Sequence, residues 1–245
     1  MKEINWSFIT SVEHFIDHAE CVKPLIDSNY QPFTSVAKDS IAKRKGAVFL
    51  KCPAHTDFMK NTFVFCAPFD LTIDINIDEK TNKFSIVCKN IDQEIFDQII
   101  DMRFLHDRGI NPYPVIGIDW LTVFTASEST QMQVFPAFMH CNDFTEKTTV
   151  IPGEFDIGRW TRPIELVFEI KKLQETVSIK KGDAISYIKF LSDDNVKLVP
   201  ANTPWNEIIQ CNNIRSKNKY RPLAERYNDL EKIQQSGCPY TNSNK

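Results

Sequence analysis

Residues Pro152–Phe190, PGEFDIGRWTRPIELVFEIKKLQETVSIKKGDAISYIKF, decide the fold. Ile164, Leu166, Phe168 and Ile170 fall on one face of an extended chain, and Glu165, Glu169 and Lys171 mark the other. A period of two belongs to a half-buried antiparallel strand. Lys180-Lys181-Gly182-Asp183 then supplies turn chemistry, with Gly182 suited to a positive φ, before a second apolar run from Ala184 to Phe190. The spacing predicts a hairpin over Thr176–Phe190.

The same alternation recurs upstream. Leu71, Ile73, Ile75 and Ile77 alternate with Thr72, Asp74, Asn76 and Asp78, and Lys83–Cys88 returns across a Glu79–Asn82 turn. Further strands are expected from near Ala47, at Asn61–Ala67, at Pro114–Thr125 and at Thr130–His140. Asp92–His106 carries Ile95, Phe96, Ile99, Ile100 and Phe104 at helical spacing behind a capping Asp92, and Gly109 marks its expected end. Pro222–Gln235 predicts a C-terminal helix docked by Leu223, Tyr227 and Leu230. Asp17–Asp27 suits short helical turns, and Asn29–Gly46 an extended surface connection. Strands in runs, rather than alternating with helices, give a mainly β fold: an antiparallel sandwich or jelly-roll-like body with a few peripheral helices, α+β by count. The expected organisation is one domain over 1–245, with an N-terminal extension 1–46, a sandwich body 47–200 and a helical tail 201–245.

Composition narrows the class. The chain has 245 residues, 42% of them hydrophobic and 18 of them Phe, enough for a sizeable core. Its 29 basic and 32 acidic side chains are interspersed at a net −3, which does not suit a nucleic-acid binder. Arg215, Lys217, Lys219 and Arg221 form the densest basic group, and a solvated loop is its expected setting. No stretch reaches the ~18 uncharged apolar residues of a membrane span, and the opening MKEINWSFITSVEHFIDH does not read as a secretion signal. Seven widely spaced cysteines without a CxxC suit a reducing cytoplasm, with Cys66 and Cys88 as buried free thiols.

Lys51-Cys52-Pro53, Asn61-Thr62-Phe63 and Pro68-Phe69-Asp70, then Asp119-Trp120-Leu121 to Pro136, Gly158 to Pro163, and Ile179-Lys180-Lys181-Gly182-Asp183 to Ile188, occur in the order of an uncharacterised tailed-bacteriophage protein family, which the chain resembles. The resemblance implies a phage-encoded intracellular protein with a β-rich fold. It carries over no catalytic residue.

Three groups of residues have chemical potential. Arg159 and Arg162 flank Trp160 and suit either buried carboxylates such as Glu165 or Asp156, or a carboxylate or phosphate ligand. His55-Thr56-Asp57 with His140 and Arg159 is similar to the pattern of Fe(II)/2-oxoglutarate oxygenases. That resemblance implies His55, Asp57 and His140 as iron ligands and Arg159 as the cosubstrate's partner. The hairpin around Gly182 looks like the late hairpin of dUTPase-like nucleotide hydrolases, without their phosphate-binding segments. There is no GxxxxGK[ST], GxSxG or HExxH. The expected function is therefore that of a cytoplasmic accessory protein of an infected cell. It would bind a host or phage protein, with no cofactor and with self-association open. The alternatives are an oxygenase using Fe(II) and 2-oxoglutarate, and a virion structural component.

Overall fold

Apolar alternation makes the strands, and strand pairing then sets the layers. The computed structural model describes residues 1–9, 30–35, 52–78, 83–103, 115–172, 175–217 and 221–235. In chain order these form β1 (Lys2–Phe8), β2 (Phe33–Ser35), α1 (Pro53–Phe58), β3 (Thr62–Cys66), β4 (Leu71–Asp78), β5 (Lys83–Cys88), α2 (Gln93–Ile99) and β6 (Ile100–Arg103). Then come β7 (Val115–Thr125), β8 (Gln131–Phe135), α3 (Asp143–Lys147), β9 (Thr148–Val150), β10 (Gly153–Asp156) and β11 (Pro163–Ile170). The last elements are β12 (Glu175–Ile179), β13 (Ala184–Phe190), β14 (Val196–Pro200), α4 (Trp205–Lys217) and α5 (Leu223–Gln235).

Three sheets result. The first runs β14-β1-β7-β11-β9, with β6 also paired to β7; the second runs β10-β8-β13-β3-β2; the third runs β12-β4-β5. The first and second face each other across an aromatic seam. Phe33 of β2 lies 5.1 Å from Trp6 of β1 and 5.1 Å from Phe124 of β7, and Phe124 lies 5.5 Å from Phe190 of β13. Those centroid separations are the ones aromatic pairs prefer. Leu71, Ile73 and Ile75 of the third sheet enter the same core as Ile164, Leu166, Phe168 and Ile170 of β11. The fold is the β-rich, sandwich-like body that the alternation predicts.

One strand carries an unusual demand. β7 pairs through Val115–Ile118 with β6 and through Thr122–Thr125 with β1 on one edge, while β11 takes the other. Between those two pairings Leu121 adopts φ 55°, and its N–H donates to Asp119 Oδ1 at 2.7 Å. A non-glycine residue in the left-handed region is strained, and here the Asp119 carboxylate supports it.

Several expectations are corrected. β12 and β13 do not form a hairpin: β12 pairs with β4 and β13 with β3 and β8, so the intervening turn crosses between sheets. Gly182 does take φ 93°, and Asp183 Oδ2 accepts from Lys180 N, as the turn chemistry requires. Gly182 N–H donates to Ala67 O and Ala67 N–H to Asp183 O, which ties this crossing to the one between β3 and β4. The helix at Asp92 is capped as predicted, its carboxylate accepting from Glu94 N, but it stops at Ile99. β-branched Ile100 turns extended and the chain pairs with β7 instead, because a ladder position outweighs a helical spacing. Strand β8 ends at Phe135, short of His140. Lys2–Phe8 is no extension; it is an internal strand whose pairing with β14 is parallel. Arg215 and Lys217 sit on helix α4 rather than in a loop. Leu223 stays exposed while Tyr227 and Leu230 dock α5. The expectations at Asp17–Asp27, Ala47–Leu50 and Glu79–Asn82 lie outside the described residues.

Asn61 joins two of the sheets. It sits at φ 56°, its Nδ2 donates to Ser192 O (2.9 Å) and Asp194 O (2.8 Å), and its Oδ1 accepts from Val196 N (2.9 Å). One amide thereby fixes the start of β14 against the start of β3. Asn61→Ala is expected to lose about 2–4 kcal/mol in urea unfolding, combining lost hydrogen bonds with backbone strain. Asn61→Gly removes the same bonds without the strain and should lose about 1 kcal/mol less. Equal losses for the two would contradict the role given to the left-handed backbone.

Candidate functional site

The turn between β10 and β11 is built around a carboxylate. Asp156 is buried; it accepts from Ser129 Oγ (2.5 Å), Thr130 N (2.9 Å) and Gly158 N (2.9 Å), and its own N–H donates to Tyr227 Oη (2.9 Å). Gly158 is required there, because a Cβ would lie 2.1 Å from the Glu128 carbonyl oxygen. The turn then presents Arg159, Trp160, Thr161 and Arg162 to the C-terminal helices.

Arg159 donates through Nε (3.0 Å) and Nη2 (2.6 Å) to Glu231 Oε1 of α5, with its guanidinium 4.8 Å from the centre of the Tyr227 ring. Trp160 is fully enclosed by Cys211, Ile214, Tyr227 and Leu230. Thr161 Oγ1 donates to Glu207 Oε2 at 2.8 Å. A cavity of about 370 Å³ opens at this seam between the β10–β11 turn and the two helices, lined in part by Arg159, Thr161, Glu207, Cys211 and Glu231. Burial pushes the Cys211 thiol up to about 12, so it is not a nucleophile near neutral pH. The Arg-Trp-x-Arg run thus holds the helices to the body, and Arg159 also lines the cavity.

Arg162 turns the other way, into a compact charge group. Its Nη2 donates to Glu165 Oε2 at 2.8 Å, and Arg215 Nη2 of α4 reaches the same oxygen at 3.2 Å. Of the two carboxylates considered for this arginine, Glu165 is the partner and Asp156 is not. The Glu165 side chain is only 8% exposed, and its other oxygen lies where a Cβ on Gly117 would be 2.6 Å away. Asp119 is the cross-strand neighbour of Glu165. Like charges placed opposite one another are unfavourable unless cations intervene, and the two arginines do. Burial raises the Asp119 carboxyl to about 6, opposed by the Leu121 N–H and by Arg162 and Arg215, and reinforced by Glu165. Burial also lowers the Arg162 guanidinium from its usual range, against the pull of Glu165.

His55 and Asp57 lie on α1, a helix and not a jelly-roll strand. Residues two apart on a helix point to different sides. His140 sits in the segment after β8, where its Nδ1 is 2.8 Å from Tyr187 Oη. Among the described residues no three His, Cys, Asp or Glu side chains gather closely enough to hold a metal ion.

The surroundings of His140 hold what sequence reasoning missed. Tyr187 on the outer face of the second sheet is covered by Met59 at the end of α1 and by Phe135, Ala137 and Met139. Ring contacts run Phe58–Phe135 (5.8 Å), Phe135–Tyr187 (5.6 Å) and Tyr187–Phe138 (5.4 Å). The chain of rings ends in solvent at both sides, with Phe58 48% and Phe138 58% exposed. The signal in the sequence was Phe58-Met59 and Phe135-x-x-Phe138-Met139, apolar residues in segments too short and too polar to bury them all.

Asp119→Asn tests the charge group. The raised carboxyl contributes stability that is complete below about pH 4, the unfolded value, and is lost as pH rises through about 6. Asn keeps the acceptor for Leu121 N–H and removes the charge. The variant should therefore be more stable than the parent by about 1–3 kcal/mol at neutral pH, the gain shrinking to nothing near pH 4 in urea unfolding. No gain at neutral pH would contradict the assignment.

No family model matches the chain, and neither a curated protein nor a solved structure matches it.

Proposed function

We propose that the chain is a non-enzymatic accessory protein that acts by binding another protein through the outer face of its second sheet. The observation that carries this reading is the ring chain Phe58–Phe135–Tyr187–Phe138, buried at Tyr187 and exposed at both ends. Tyr187 is fully buried and oriented by His140, so the rings above it lose little freedom when a partner covers them. Aromatic residues and methionine are the side chains enriched at the energetic centres of protein interfaces, and two exposed rings tied to one buried aromatic cluster supply anchors of that kind.

The rest of the molecule supports the same reading by its chemistry. The Arg159 and Arg162 guanidiniums are engaged by Glu231 and Glu165, and the thiol beside the seam cavity is inert. Among the described residues no helix is long and apolar enough to cross a membrane. The phage origin and cytoplasmic setting stay with the resemblance in the sequence.

The combined variant F58A/F138A tests the proposal. Both side chains are about half in solvent (48% and 58% exposed) and lie outside the main core, so the melting temperature should stay within about 5 °C of the parent. Used as bait in extracts of the native host, the parent should retain a defined protein, and the variant should retain about tenfold less of it or lower. Undiminished capture by the equally stable variant would overturn the proposal, as would a parent that retains no protein and does not self-associate.

A further inference from the structure

We infer that the protein bound on this face is a second copy of the chain, related by a two-fold axis that lies in the interface parallel to β8. The inference rests on the protein-binding reading above and adds the partner's identity. It comes from charge placed in register. Lys189 of β13 is the cross-strand neighbour of Gln133 of β8, and Gln133 is that of Glu154 of β10. These three side chains therefore form one row across the outer face, beside the aromatic row that begins at Tyr187 and Phe135. Strands lie ~4.8 Å apart, so the cation and the anion stand ~10 Å from each other with a neutral amide midway.

Such a row is complementary to itself. A two-fold axis along the central strand carries the β13 side of one copy onto the β10 side of the other. Lys189 of each copy then faces Glu154 of the other, giving two equivalent ion pairs, and Phe135 of each meets its counterpart near the axis. The side chains are prepared for this. Gln133 Nε2 donates to Glu154 Oε2 at 2.6 Å and holds the carboxylate in the row. Lys189 Nζ lies 4.6 Å above the Phe58 ring and donates to Phe58 O at 2.6 Å, which leaves further N–H donors on the ammonium. The exposed Phe58 is thus fixed to the cationic end of the row and would cover the β10 side of the second copy. An isologous contact of this kind closes at two copies.

Single charge reversals followed by mixing test the arrangement. Sedimentation equilibrium at tens of micromolar should give a dimer for the parent. K189E and E154K should each dimerise about tenfold more weakly or worse, since each places like charges face to face. An equimolar mixture of the two should recover a one-to-one dimer, because every facing pair is then of opposite sign. Circular dichroism should show both variants folded as the parent is. A mixture that stays monomeric, or single variants that dimerise as well as the parent, would overturn the two-fold arrangement. A monomeric parent would also overturn it. The broader reading would survive a monomeric parent if F58A/F138A still abolished capture of a different protein, and would fall with it if the parent captured none.

Discussion

The structure depends on one aromatic contact between layers. Phe33 comes from a strand of three residues, yet it touches Trp6 and Phe124 of the first sheet and stacks 5.7 Å from Phe65 of its own. Phe124 then passes the contact to Phe190. Buried aromatic side chains each remove a large apolar area from water, and their pairwise geometry adds to that. Strands β1, β2, β7 and β13 are far apart in sequence, so it is this seam that brings them face to face. Every other feature, including which residues point outward on the second sheet, follows from which ones the seam holds inward.

Past the irregularity at Ala184–Ser186, the alternation of β13 links seam and surface. Ile188 and Phe190 face the core, which obliges Tyr187 and Lys189 to face out. On β8, Met132 and Val134 go inward and Gln133 and Phe135 outward, by the same rule. The aromatic row and the charged row beside it are therefore the reverse side of the core pattern. Beyond the β10–β11 turn, Trp160 and Tyr227 seat the two C-terminal helices, while Asp119, Arg162, Glu165 and Arg215 join β7, β11 and α4 through charge. That second attachment carries an energetic cost in the half-buried, desolvated Asp119 and suits a structural role, because its guanidiniums are already occupied.

Much of the fold was legible. The alternation of β11 and β4 survives intact in the burial of Ile164, Leu166, Phe168 and Ile170 and of Leu71, Ile73 and Ile75. Strand β1 carries the same signal in Ile4, Trp6 and Phe8, but its partners β7 and β14 lie more than a hundred residues away, so its place inside the sheet is set by the tertiary fold. Helix α4 was obscured because its apolar residues, Ile208, Cys211 and Ile214, are diluted by asparagine and glutamine. The turn at Gly182 was recognised by its chemistry but misplaced in topology, since a turn motif fixes local backbone and not which sheet the next strand joins. Within the site, Arg162 and Glu165 are three residues apart and could be paired by inspection. Arg215, Asp119 and Gly117 could not, because only the tertiary fold places them there. Exposure of Phe58 and Phe138 is likewise a property of the folded surface.

Nuclear Overhauser spectroscopy on protein labelled at its phenylalanine and tryptophan rings tests the central claim most directly. The account predicts ring-to-ring cross-peaks linking Trp6 to Phe33, Phe33 to Phe124 and Phe124 to Phe190, all across the layers. Cross-peaks confined to Phe33–Phe65 and Phe63–Phe190, within the second sheet, would mean that the layers do not face each other through this seam.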